Sequence, residues 1–103
     1  MARAATTADP FNAIAERRRR EILALLGRGE RPVNDLVRST GLAQPQVSKH
    51  LRVLRRVGLV RVRRVGRQRV YRLDTSGLRP VREWLDVVLR EWQAKRRPRG
   101  RAL

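Results

Sequence analysis

The hydrophobic period of this chain changes at Gly58. From Gln44 to Val57 the apolar residues Val47, Leu51 and Leu54 recur at i, i+4 and i+7, the spacing of one helix face, and Gly58 stands where a left-handed C-terminal cap belongs. Beyond it, "LVRVRRVGRQRVYRL" alternates apolar and basic residues on both sides of Gly66, with Val60 and Val62 facing one way and Arg61 and Arg63 the other. An amphipathic helix of about four turns followed by a two-stranded hairpin is the expectation.

The same stretch carries the chain's most uneven charge. Between Asp35 and Asp74 lie 38 residues with eleven Lys or Arg and no acid, so this third supplies +11 of a net +17. Arginine makes up 24 of the 26 cations; a bias toward Arg explains that choice but not the missing Asp and Glu. So much uncompensated charge makes an anionic partner the default, with nucleic acid ahead of a membrane surface.

Upstream, Asp9-Pro10 supplies an N-cap and a first-turn proline, and the apolar points Ile14, Ile22, Leu23, Leu25 and Leu26 predict two helices broken near Ala15-Glu16 and ended by Gly27 and Gly29. The Arg17 to Arg20 run reads as mostly solvated, with some of it in reach of a phosphate. Pro32 opens a further short helix with Val33, Leu36 and Val37 on one face and Gly41 as its stop. Two short helices joined by a Gly-containing turn, the second with a basic outer face, form the helix-turn-helix pattern, and the hairpin after them is its wing.

Thr75 and Ser76 are placed to cap a last helix ending near Ala94, with Pro80 in its first turn. Leu78, Val81, Leu85, Val88 and Trp92 are spaced 3, 4, 3, 4 along it, a heptad seam widened by Trp84 and Leu89. The seam packs either on the domain's own core or on a second subunit. The two tryptophans at the chain end favour the second subunit.

The expected fold class is therefore mainly α with a small β-hairpin, a winged helix-turn-helix in the order α-α-α-α-β-β-α. Its domain spans 9–94, with a disordered lead over 1–8, a dimerisation helix over about 77–94 and a basic, disordered tail over 95–103. At 103 residues the chain holds one small domain, whose core is shared among short elements or completed by a partner, so a homodimer is expected from length alone.

Base reading in such motifs concentrates at the start of the second helix, where Gln pairs with adenine and Lys or Arg with guanine. Gln44, Gln46, Ser48 and Lys49 are the base-edge candidates, and Arg52, Arg55 and Arg56 the phosphate candidates. Arg63, Arg64, Arg67 and Arg69 gather around the hairpin turn, from which a wing reaches the backbone or a minor groove. His50 reads as a half-buried residue bracing the turn, with a phosphate hydrogen bond as the alternative.

Other classes fare worse. With one His, no Cys, no glycine-rich phosphate loop and no carboxylate pair set by a motif, no nucleophile and base are available to an enzyme. No apolar run reaches the roughly 18 residues of a membrane span, nor does the N-terminus resemble a secretory signal, which points to the cytoplasm, with nucleoid association when bound. A sequence-indifferent architectural or RNA-binding protein is the competing reading, weakened because Phe11, Tyr71, Trp84 and Trp92 are scattered rather than arranged for base stacking.

"AERRRREILALLG", "VNDLVRSTGLAQPQVSKHLRVLRRVGLV" and "RRVGRQRVYRL" together resemble the winged helix-turn-helix repressors of the ArsR/SmtB type, over roughly residues 11 to 92. The specific part is the series "VSKHL…L…GLV…R.GR…Y.L", which fixes recognition helix, wing and their spacing together. The resemblance implies a homodimer built from the first and last helices, repressing transcription at an inverted repeat near its own promoter until some signal releases it.

The chain departs from the family pattern at several positions. Glu16-Arg17 replaces the usual Asp-Pro, and Ala43 replaces the Ser that often caps the recognition helix, which leaves the cap to Gln44 or to nothing, a loss of roughly 1 kcal/mol. Where metal-sensing members place a Cys-x-Cys pair this chain has Val33, Asn34 and Asp35, and its last helix offers Asp86 and Glu91 without His. Thiolate and imidazole ligands are thus missing from both places, so neither metal sensing nor a cofactor is expected.

Overall fold

The computed structural model describes residues 9–102, with side chains through residue 95. Its elements are α1 (Pro10–Ile14), α2 (Arg17–Leu26), β1 (Arg31–Pro32), α3 (Val33–Thr40), α4 (Gln44–Arg56), β2 (Val60–Val65), β3 (Gln68–Leu73), a 3-10 turn (Thr75–Leu78) and α5 (Arg79–Ala102). The expected lead over 1–8 lies outside the described residues.

The break between the first two helices is built by charged side chains. Asp9 Oδ1 accepts the Asn12 N–H at 2.8 Å to start α1. Glu16, in extended backbone, caps α2 by accepting the N–H groups of Arg18 (2.7 Å) and Arg19 (3.2 Å). Arg19 and Arg20 then turn back, donating to the carbonyls of Ala13 (2.6 Å) and Ile14 (2.9 Å), which the short α1 leaves without intrahelical partners.

The expected hairpin forms from β2 and β3, and the sheet extends one strand beyond it. A third strand, β1, pairs antiparallel with β3 through Arg31 opposite Tyr71 and Pro32 opposite Val70, giving the sheet order β1-β3-β2. Two residues carry no readable alternation, and Pro32 joins only because it lies in an edge strand, where its missing N–H faces no partner. The helix that Pro32 was expected to open starts at Val33, with Pro32 as its extended N-cap. In the wing itself Gly66 has φ +62° and no other residue of the turn has positive φ, the pattern of a type II′ turn, whose twist suits the flanking strands.

Ile22, Leu36, Val47, Leu51, Leu54 and Leu59 are fully buried, joined by Ala13, Leu26, Val60 and Tyr71. Each large apolar side chain contributes about 1.5–3 kcal/mol by leaving water. The turn between α3 and α4 is tied down at Thr40, whose Oγ1 donates to the Leu36 carbonyl (2.7 Å) and accepts the Leu42 N–H (3.2 Å). These bonds hold α4 across the core with its first turn open to solvent.

The exit from the wing departs from expectation too. Asp74, not Thr75 or Ser76, caps the 3-10 turn: its carboxylate accepts both the backbone N–H (3.2 Å) and the hydroxyl (2.7 Å) of Ser76. A carboxylate one position earlier outcompetes the hydroxyls as acceptor. In that turn Gly77 lies against Gly58, so closely that a Cβ on Gly77 would stand 2.0 Å from the Gly58 carbonyl oxygen.

Helix α5 is longer than the sequence suggests, continuing to Ala102 rather than ending near Ala94 in a disordered tail. Gln93, Ala94, Lys95, Arg96 and Arg97 are good helix formers, which carries the helix past Ala94. Leu78 packs against the core and Val81 is half-buried. Beyond them the face is open: Trp84 is 54% exposed and Trp92 55%, with Leu85, Val87, Val88 and Leu89 between them also exposed. Phe11 of α1 meets Trp84 edge to face at a centroid distance of 6.1 Å, extending this apolar ridge onto the first helix.

Candidate nucleic-acid interface

Helix α4 and the wing enclose a cleft of about 530 Å³. From α4 it is lined by Gln44, Ser48, Arg52 and Arg55, at i, i+4, i+8 and i+11 along one stripe; from the wing come Arg67, Gln68 and Arg69. Its floor is Pro32, Val33, Asn34 and Tyr71, so α3 contributes as well. The lining holds four guanidinium groups and no carboxylate.

The recognition-helix candidates separate into three groups. Gln44, Ser48 and Arg52 face the wing across the cleft, and Arg55 joins them. Lys49 and Arg56 lie outside the cleft, on the exposed outer surface of the helix. Gln46 serves the helix itself. Its Oε1 accepts the Ala43 N–H at 3.0 Å, the glutamine half of a capping box whose usual hydroxyl half Ala43 lacks. Capping therefore falls to Gln46 and not to Gln44.

The wing arginines separate by partner. Arg63 donates from Nε and a terminal nitrogen to Glu30 Oε1 (3.2 and 2.9 Å), which neutralises it on the sheet face opposite the cleft. Arg61 likewise pairs with Asp74 at 2.7 Å. Arg64, Arg67 and Arg69 have no ion pair among the described residues, and Arg64 stands directly across the strands from Arg69. Like charges placed opposite one another are unfavourable in a bare sheet, which makes this pair a concentrated point of positive charge on the wing.

The Arg17–Arg20 run is occupied by the fold: Arg17 and Arg18 pair with Glu21, and Arg19 and Arg20 cap α1. His50 is half-buried and outside the cleft, with Nδ1 buried and lacking a hydrogen-bond partner. Burial is the main influence holding its pKa below the ordinary 6.5; the Glu16 carboxylate opposes this, while Arg19, Lys49 and Arg18 reinforce it. The imidazole lies on the side of α4 near Glu16 and Arg19 at the α1–α2 junction. For Glu16, burial acts to raise the pKa, but the Arg18 and Arg19 N–H donors outweigh it and keep the carboxyl below its ordinary 4.5.

Asn34 and Gln68 are cleft residues that sequence reasoning did not pick out. Gln68 sits between two wing arginines and was recoverable from that position. Asn34 carries no local signal, because only the α3–α4 turn brings the start of α3 to the start of α4. No three His, Cys, Asp or Glu side chains converge among the described residues. No helix among them is long and apolar enough to cross a membrane.

A helix-turn-helix whose second helix flanks an arginine-tipped wing across an acid-free cleft defines a winged helix-turn-helix DNA-binding domain. Residues 16–62 match the family described as bacterial regulatory protein, arsR family. The HTH-type transcriptional regulator Rv2034 of Mycobacterium tuberculosis is 41% identical over 76 residues, covering 74% of this chain and 71% of that protein. The transcriptional repressor SdpR of Bacillus subtilis is 31% identical over 75 residues, covering 73% and 83% respectively. In three dimensions the chain is similar to the homodimeric winged helix-turn-helix DNA-binding domain Mb0332 of Mycobacterium bovis, with a TM-score of 0.62, 35% identity and coverage of 77% of this chain and 73% of that one. The chain belongs to the ArsR family of transcriptional regulators, proteins that bind DNA and are not enzymes.

Proposed function

We propose that this chain is a homodimeric, metal-independent repressor that occludes a promoter by binding an inverted repeat, its own promoter included. The observation that carries this reading is the acid-free cleft. Its guanidinium groups suit a phosphate backbone passing between α4 and the wing, with the outer face and first turn of α4 directed to base edges in the major groove. Gln44 and Ser48 within the cleft and Lys49 outside it read bases; Arg52, Arg55 and Arg56 grip phosphates, and Arg67, at the II′ turn, enters the adjacent minor groove.

The exposed ridge of Leu85, Val88, Leu89 and Trp92 supports dimerisation through α5, since a row of large apolar side chains this long is costly in water. The SdpR and Mb0332 names, a repressor and a homodimer, favour the same reading. Two such domains place their recognition helices about one helical turn, roughly 34 Å, apart on the duplex. Metal independence rests on the absence of Cys and of a second His from the sequence.

Selection of bound duplexes from random DNA tests the whole reading. An enriched inverted repeat is the expected result. Recovery of unrelated duplexes in proportion to their input, or collapse of binding on deletion of residues 95–103, would establish a sequence-indifferent architectural protein instead.

A further inference from the structure

The α4–wing cleft is concave enough to be a small-molecule site as well as a surface for a duplex. Its volume, about 530 Å³, lies within the roughly 300–1,000 Å³ of ordinary ligand pockets. Arg52, Arg55, Arg67 and Arg69 have no ion pair among the described residues, although Arg61 and Arg63 of the same sheet have found acids. The side chains of Asn34, Gln44 and Gln68 make no hydrogen bond among the described residues either. The cleft therefore combines unsatisfied guanidinium groups with unsatisfied carboxamides over the floor of Pro32, Val33 and Tyr71.

Each of these groups selects a chemistry. A guanidinium fork pairs bidentately with phosphate, and four of them in one cleft match several linked phosphates better than a single anion. A carboxamide pairs with the donor and acceptor edge of a nucleobase, adenine most directly. Tyr71 is only 6% exposed, so the base is recognised at its edge and not by stacking on the ring.

We propose that this cleft binds one small polyphosphate per chain, its phosphates among Arg52, Arg55, Arg67 and Arg69, with a nucleotide favoured over bare polyphosphate by Asn34, Gln44 and Gln68. The bound molecule occupies the surface assigned above to DNA, so the inference rests on that assignment and makes the small ligand a competitor of the duplex. Release from DNA then needs no metal and no second site: the ligand binds only the DNA-free state and shifts the population by that difference in affinity.

Calorimetric titration of the full chain with ATP, and separately with inorganic tripolyphosphate, at near-physiological salt tests this. The expected result is one ATP per chain, displacement of a labelled duplex over the same concentration range, and at least a tenfold loss of ATP affinity in Arg67→Ala/Arg69→Ala. Arg28→Ala/Arg72→Ala removes the same charge outside the cleft and leaves ATP binding unchanged. ATP binding tighter than tripolyphosphate is expected; equal binding overturns the role given to Asn34, Gln44 and Gln68 and leaves a site for polyphosphate alone.

Several ATP molecules per chain, or equal losses in the two double variants, would reveal diffuse charge attraction and overturn the proposal. The DNA reading is judged separately. Failure of ATP to bind a protein that still selects an inverted repeat removes only the small-molecule site. Loss of ATP binding with duplex affinity untouched in Arg67→Ala/Arg69→Ala removes instead the placement of DNA in the cleft.

Discussion

Gly77 shows how little room single residues have in this small domain. A methyl group there overlaps the Gly58 carbonyl before it reaches the Leu59 side chain, and the carbonyl is backbone, so Gly77→Ala forces the 3-10 turn away from the end of α4. The expected cost is about 2 kcal/mol or more, read as a lower midpoint in urea with unchanged slope. Asp74 makes a different residue-scale prediction. The Ser76 hydroxyl, followed by Arg61, holds its carboxyl at about 2, against the ordinary 3.8. A carboxyl depressed in this way stabilises the fold above 3.8 and loses that contribution as pH falls toward 2. Thermal melts of wild type and Asp74→Asn should therefore differ most above pH 3.8 and converge toward pH 2. A constant difference across that range would assign the effect of the substitution to something other than charge.

At the scale of elements, the pairing of the wing arginines predicts unequal roles in salt dependence. Arg69→Ala should lower the slope of log affinity against log salt by about 0.9, the release of one counterion, whereas Arg63→Ala should change it little because Glu30 already neutralises Arg63. Competition binding at several salt concentrations measures both. The period of α4 and of the hairpin was fully readable, because burial of Val47, Leu51 and Leu54, and of Val60 with Tyr71, demands those spacings. The third strand was not readable, since two residues show no alternation. Nor was the stripe of α4 that meets the wing. The sequence locates the side opposite the core, with Lys49, Arg52 and Arg56, but the wing comes down beside that line, over Gln44, Ser48, Arg52 and Arg55, and leaves Lys49 and Arg56 outside. Asp9, Gly41 and Gly58 stand where the sequence put them, but the caps that open α4 and the 3-10 turn were not readable, as Gln46 and Asp74 were chosen by geometry among several eligible neighbours.

For the molecule as a whole, the decisive feature is the open ridge on α5. Leu85→Glu or Val88→Glu places a charge in it without touching the domain core, so helicity should persist while sedimentation shifts from dimer to monomer. Operator affinity should then fall on the order of 100-fold or more, because the second half-site is no longer bound as part of one molecule. A dimer that survives both substitutions would move the subunit contact elsewhere. The sequence made the heptad spacing visible, but whether Leu78 and Leu85 shared one environment depended on how far the core extends. It reaches Leu78 and stops near Val81.

The meeting of Gly58 with Gly77 joins these scales. The residue that follows the C-cap of α4 and the 3-10 turn that leads into α5 meet there main chain to main chain, leaving little room to absorb a displacement. A shift of either backbone is passed on to the other as through a welded joint, so in the proposed dimer the posture of α5 would set the distance between paired reading heads. A dimer built this way would measure operator spacing with its spine.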